Sequence, residues 1–326
     1  MENRPNRSLF WPIVLIGIGV IWLLGAMGVI PNVSWPMLAS LWPLILIVIG
    51  LDILIGRRSS IGSAIVGLIA VAAVALMLLV GPSLGLATSG TLKTEILSSE
   101  IGSATAANIS IDLASQPVTM SALTDKTSLL SAEIDHYGTL DFSDSGNPTR
   151  RIRLAQTGTS GFRISWDPNA RWDIGLTPNL PIDLTIDSGS GSANLDLSEL
   201  RLTGFSIDQG SGSLQLQLPP STQPYNANIT GGSGSMSLTV PADGDLTVRL
   251  EGGSGSINLK IPAEAAVRLE IRNSGSGSVN VTDRLMAAKV FENFKEGTWE
   301  TAGFDQAAHK LIIICDDLGS GSFNIN

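Results

Sequence analysis

Two hydrophobic patterns divide the chain. Residues 1–90 carry long apolar runs, and beyond them apolar and polar positions alternate in short stretches. Three runs, at about 9–30, 36–55 and 61–86, reach the roughly 20 helical residues that a bilayer requires. A first run of this length with a second directly behind it argues against a cleaved signal peptide. From residue 91 the period falls to two, the mark of strands with one buried face. Phe205 and Ile207 alternate ahead of Gly210, and Leu214, Leu216 and Leu218 follow it. The same alternation flanks Gly232, Gly253 and Gly275.

The strands are joined by a recurring Gly-Ser-Gly-Ser turn, at Gly189–Ser192, Gly210–Ser213, Gly232–Ser235, Gly253–Ser256, Gly275–Ser278 and Gly319–Ser322. The first glycines are 21, 22, 21, 22 and 44 residues apart, and Gly297 falls where the long gap skips a period. Each unit reads strand, turn, strand and a return loop that contains Pro219-Pro220, Pro241 or Pro262. A unit this small cannot bury its apolar face alone, so the units must stack. The pattern predicts an N-terminal α-helical membrane domain over residues 1–90. An all-β domain follows over 91–326, built as a β-solenoid of stacked 21–22-residue repeats. An antiparallel sandwich of hairpins is the alternative, though it rarely keeps so constant a period.

Glycine in regular structure costs about 0.5–1 kcal/mol of chain entropy relative to alanine. The turn residues Gly189, Gly191, Gly210, Gly212, Gly232, Gly234, Gly253, Gly255, Gly275, Gly277, Gly319 and Gly321 are therefore expected at corners that need positive φ and close approach between units. Ahead of the clean repeats, Ala107–Leu113 and Val118–Met120 look like a degenerate opening unit. Leu130–Ile134, Arg151–Leu154 and the Trp166, Trp172 and Ile174 region continue it. Residues 283–310 break the pattern, with Trp299 and Phe304 placed to pack over the stack. The chain stops at Asn326, directly after a strand, which suggests an uncovered last coil.

Charge sharpens the division. Residues 91–326 carry 16 Lys+Arg and 27 Asp+Glu, a net of 16 − 27 = −11, against +2 before them. An acidic rod repels phosphate polymers, which excludes nucleic acid and disfavours anionic bilayers. Cationic wall polymers or basic peptides suit it better. Arg4 and Arg7 precede the first apolar run, and Arg57 and Arg58 lie between the second and third. With three spans all four share one side, which the positive-inside rule makes cytoplasmic. The repeat domain is then extracytoplasmic on a bacterial plasma membrane. Trp11, Trp35 and Trp42 suit an interfacial belt. Asp52, five residues before Arg57 and Arg58, is expected to snorkel or pair at the interface. Trp11, Trp42, Asp52, Arg57 and Arg58 are the expected membrane anchors.

Little of the chain points to chemistry. The glycine turns lack the aspartate and the period of nine of a calcium-binding nonapeptide repeat. They open strands and lack the lysine of a phosphate-cradling loop. Two histidines, His136 and His309, and one cysteine, Cys315, supply no transition-metal set and no cofactor site. Cys315 lies in the run Leu311–Cys315 and reads as a small core hydrophobe. No catalytic residue is nominated. Arg150, Arg151 and Arg153, with Arg163, form the one basic cluster of the β domain. Cross-strand pairing with Asp141 and Asp144 is the plain reading for them, and docking of a headgroup or polymer the other.

The two Trp-Pro-initiated runs, the second ending Ile49-Gly50-Leu51-Asp52-Ile53-Leu54-Ile55-Gly56-Arg57-Arg58, resemble the transmembrane domain of LiaF-type bacterial membrane proteins. Asp183–Gly191, Asn194–Ser198, the later Gly-Ser strands, and Trp299-Glu300-Thr301 with Phe304 resemble the toast-rack, adhesin-like domain of that family. The resemblance implies a cell-envelope stress role, in which a membrane sensor kinase is modulated, without enzyme activity or cofactor. The expected partners are the lipid bilayer, a membrane sensor kinase or envelope component, and further copies of the chain. Two further readings stand beside it, a structural or adhesion module that self-associates through the solenoid ends, and an envelope enzyme.

Overall fold

A computed structural model describes residues 10–26, 46–48, 50, 60–80, 92–113, 116–157, 170–221, 223–290 and 295–326. The chain divides into two compact units, one of residues 1–91 with 159–168 and the other of the remainder.

In the first unit, helix α1 spans Phe10–Ala26 and helix α2 spans Ser60–Val80, inside the first and third apolar runs. Neither contains a charged residue. They pack closely at Gly17, where a side chain would collide with Val71, the use that small residues find between helices in lipid. Of the second run, residues 46–48 and 50 are helical. Taken over the described residues, no helix is long and apolar enough to cross a membrane. The three-span reading therefore rests on the sequence pattern.

Among its described residues, the second unit holds 21 strands. The first seven are β1 (Lys93–Glu100), β2 (Ala106–Leu113), β3 (Val118–Ala122), β4 (Ser128–His136), β5 (Thr139–Ser145), β6 (Thr149–Thr157) and β7 (Trp172–Leu176). Four two-strand units follow: β8 (Pro181–Ser188) with β9 (Ala193–Asp196), β10 (Arg201–Gln209) with β11 (Leu214–Gln217), β12 (Tyr225–Thr230) with β13 (Met236–Thr239), and β14 (Leu246–Glu251) with β15 (Ile257–Lys260). The last strands are β16 (Val267–Ile271), β17 (Val279–Asn280), β18 (Met286–Val290), β19 (Gly297–Glu300), β20 (Leu311–Asp317) and β21 (Phe323–Ile325).

They form two sheets. The first strand of each unit joins an 11-stranded sheet in the order β18-β19-β16-β20-β14-β12-β10-β8-β2-β6-β5. The second joins a 10-stranded sheet in the order β1-β4-β7-β3-β9-β11-β13-β15-β21-β17. Through the middle of both, neighbours are parallel and in register. Leu184, Phe205, Ala227 and Val248 share one row, and Leu195, Leu216, Leu238 and Leu259 another. Inward positions of both sheets merge in one continuous core. The opening unit, β2 with β3, stacks in parallel on β8 and β9, as its sequence suggests.

The stack departs from sequence order at both ends, which corrects the expectation that each unit of the β-solenoid lies directly on the one before it. Strands β6 and β7 lie beyond β2 and β3. At the other end β20 is inserted between β14 and β16, and β21 between β15 and β17. The final coil is thus an inner layer, paired on both sides, and not the uncovered end that its position in the chain suggests. Cys315 lies level with Leu250 and Ile271 and is fully buried, and burial pushes its thiol pKa well up. Gly297 marks no corner. It begins β19, which runs antiparallel to β16. That strand and β18 finish one end of the larger sheet, with Trp299 of β19 buried and Phe304 packed under the Arg268 guanidinium at 4.5 Å.

The order generates a prediction. Deleting residues 311–326 removes a layer from inside the stack, so β14 and β16 each lose a partner strand. Amide exchange in both strands should then become fast. Protection of β16 at the wild-type level would mean that β20 does not lie between them.

Candidate functional site

The glycine turns stack into two columns. In the first, a Cβ placed on Gly210, Gly232, Gly253, Gly319 or Gly275 would strike the carbonyl oxygen of Gly189, Gly210, Gly232, Gly253 or Gly319 respectively, far inside van der Waals contact. In the second, Gly212, Gly234, Gly255, Gly321 and Gly277 stand in the same relation to Gly191, Gly212, Gly234, Gly255 and Gly321. The columns follow spatial order, with Gly319 seated between Gly253 and Gly275. Close approach is the reason for glycine at these corners. Positive φ is not general, being confined within the columns to Gly275 (60°) and Gly319 (64°). Backbone amides bridge successive corners, with Ser254 N donating to Gly232 O at 3.1 Å and Ser320 N to Gly253 O at 3.0 Å. Among the serine hydroxyls, Ser322 Oγ lies 2.9 Å from Ser256 Oγ. The turns are structural, which leaves the outer faces of the sheets as the surfaces available for recognition.

The two faces differ chemically. Across the smaller sheet, Thr119, Asn194, Gln215, Ser237, Asn258, Asn324 and Asn280 share one uncharged row. Asn280 Nδ2 donates to Asn324 Oδ1 at 2.7 Å, and Asn324 Nδ2 to Asn258 Oδ1 at 3.2 Å. Across the larger sheet the charges are sorted by row. Asp112, Asp187 and Asp208 stand side by side on β2, β8 and β10. Burial, and then the neighbouring Asp187, hold the Asp112 carboxyl above its ordinary pKa of 3.8, against the pull of Arg153.

The basic cluster divides. Arg150 pairs with Asp144 at 2.7 Å, and Ser99 Oγ donates to the same carboxylate at 2.7 Å, so the cross-strand reading holds for this arginine. Arg151 and Arg153 point to the other face of β6. Neither has an ion-pair partner among the described residues. They lie in two register rows, Ser145–Arg151–Asn108–Asp183 and Ser143–Arg153–Ser110–Thr185. The rows line a groove of about 470 Å³. Ser143 and Ser145 escape sequence reading because they reach the groove through β5, an antiparallel neighbour outside the repeat. Arg163 lies outside the described residues.

The two histidines stand apart. His136 is fully buried on β4, with Nε2 3.2 Å from Glu95 Oε1 of β1. His309 faces Asp243 and Asp245 at 4.0 and 3.6 Å. Trp11 lies in the first turn of α1. Trp35, Trp42, Asp52, Arg57, Arg58 and Trp166 lie outside the described residues.

Comparison with known proteins places these features in a family context. The LiaF transmembrane domain matches residues 10–90, and the N-terminal domain of toast-rack matches residues 88–239. The second match ends at the last residue of β13, so the inserted coil lies beyond it. A crystallised candidate cell adhesion protein from Clostridium sporogenes ATCC 15579 is 16% identical over 72% of this chain and 99% of its own, with a TM-score of 0.50. At that identity the likeness is one of fold. No curated protein matches.

Two measurements follow. Gly212→Ala should lower stability by about 3 kcal/mol in chemical unfolding, because the added methyl drives two backbones apart. Ser211→Ala, in the same turn, should change it by less than about 0.5 kcal/mol. Equal behaviour would deny the close approach. For Asp112, a raised folded-state pKa means that ionisation weakens the fold at neutral pH. Asp112→Asn should therefore be more stable than wild type at pH 7. The gain should shrink as pH falls through the raised pKa, and vanish below about the ordinary value of 3.8.

Proposed function

With the chain a LiaF-type membrane protein that carries a toast-rack domain, we infer that it senses the state of the cell envelope and biases a membrane partner, with a sensor kinase as the foremost candidate. One observation carries this reading: a LiaF transmembrane domain and a toast-rack domain follow one another in a single chain. Both families, and the structural neighbour, are of non-enzymatic types, and the reading assigns no catalysis. The β-solenoid character of the central units makes the domain a rigid display of repeated surfaces. The four arginines of the N-terminal part, read by the positive-inside rule with three spans, support a display outside the bacterial plasma membrane.

The mechanism is a shift of equilibrium. A ligand on the β domain changes the partner only if it favours one state of the pair over another. The domain as a whole is strongly acidic, so long-range attraction favours cationic envelope components and basic segments. The assembly reading loses the observation that motivated it, because the final coil is covered on both sides. The adhesion description belongs to the structural neighbour.

In-cell crosslinking of the full chain tests the proposal. A kinase should be captured, in an amount that changes on addition of a wall-active antibiotic. Self-crosslinks alone, unaffected by the drug, would favour assembly instead. A topology reporter fused after Asn326 should be active outside the membrane, and cytoplasmic activity would overturn the three-span arrangement.

A further inference from the structure

We propose that the groove between β5, β6, β2 and β8 is a binding site for a single phosphate monoester or diester group. The inference rests on the docking half of the reading above and departs from its long-range preference for cations, because this groove is locally basic. Arg151 and Arg153 are two residues apart on one strand face, which sets them roughly 7 Å apart along the strand. Guanidinium groups at that spacing can converge on one tetrahedral oxyanion from two sides. Their planar, permanently charged forks match phosphate oxygens, and charge-assisted bonds of this kind are the strong ones.

The neighbours complete the site. Ser143 and Ser145 flank the arginines from β5, and Asn108 and Ser110 from β2. They supply hydroxyl and amide donors without adding negative charge. One carboxylate, Asp183, lines the groove, and it is drawn aside. It lies over Gly204 of β10, with Oδ1 3.1 Å from where a Cβ would stand. Glycine at this position gives the carboxylate a place to rest away from Arg151. Asp112 and Asp187 lie one row further along, and Asp112 feels the Arg153 charge from that side. Arg150 does not compete, being held by Asp144 on the opposite face.

The surrounding charge selects the kind of ligand. The β domain carries −11, so a polyanion is repelled along its length while one phosphate meets the two arginines locally. That favours a single ester group over a nucleic-acid-like chain.

The test uses the full chain in phosphatidylcholine nanodiscs, titrated with glycerol phosphate and, separately, mixed with vesicles with or without phosphatidylglycerol. Saturable binding of glycerol phosphate is expected, and it should weaken at least about tenfold in the double variant Arg151→Gln/Arg153→Gln. Arg201→Gln, an exposed arginine on β10, should leave it unchanged. Asp183→Asn should tighten binding, a gain that misfolding does not produce. Vesicle capture that requires phosphatidylglycerol and both arginines identifies a lipid headgroup as the source. Binding of glycerol phosphate without vesicle capture identifies a soluble ester. No binding to either, or equal binding by the double variant, overturns the proposal. Kinase capture in cells is a separate readout, so failure here does not decide the regulatory reading.

Discussion

The β domain depends on one contact repeated along its length, the approach of a glycine Cα to the carbonyl oxygen of the glycine beneath it. The ten glycines that close on a lower corner leave no room for a methyl. Their entropic cost, about 0.5–1 kcal/mol each in regular structure, is of the same order as the whole stability of a domain, roughly 5–15 kcal/mol. That cost is offset because the corner brings two strands of the next unit into register at once. Parallel ladders form on both sides of the turn, and the inward side chains of both sheets close over one core. Everything outward, charged row or neutral row, inherits its alignment from these corners.

The sequence made the corners, the period and the strands readable because each unit repeats the same local physics. It hid the spatial order of the last units for the same reason. One Gly-Ser-Gly-Ser corner fits beneath any other, so the spacing of 44 residues between Gly275 and Gly319 looks like a skipped period when it is an insertion. What decides the order is the non-repeating segment before Leu311, where β18 and β19 cap β16 and the chain returns beneath it. Gly297 was equally opaque, since a glycine in step with a period is indistinguishable from a corner until its partner strand is known. The basic cluster was legible as a cluster. Its division into a paired Arg150 and an Arg151 and Arg153 without an ion-pair partner among the described residues required the alternation of β6 and the register of β5.

These features bear on function through rigidity. A stack of paired strands with a continuous core holds its outer rows at fixed spacing, so a ligand on one face meets a preformed array. A charged groove within an acidic surface gives such a domain a local selectivity that its overall charge does not suggest. The N-terminal helices, packed at Gly17 and Val71, belong to the first compact unit, and the chain passes between the two units at residues 91–92, 158–159 and 168–169. Under the proposed reading, occupancy of the β domain acts on a membrane partner only by favouring one state of the pair.

Disulfide trapping tests the stacking order most directly. Neighbouring parallel strands are about 4.8 Å apart, within reach of a disulfide, and next-but-one strands, at roughly 10 Å, are not. Ser256 and Ser322 are neighbours across β15 and β21, and Ser278 lies on the far side of Ser322. In the full chain, Ser256→Cys/Ser322→Cys and Ser278→Cys/Ser322→Cys should each oxidise readily under mild conditions, and Ser256→Cys/Ser278→Cys should not. Efficient oxidation of the last pair, with none in the first, would show that the units stack in sequence order and would contradict the inserted coil.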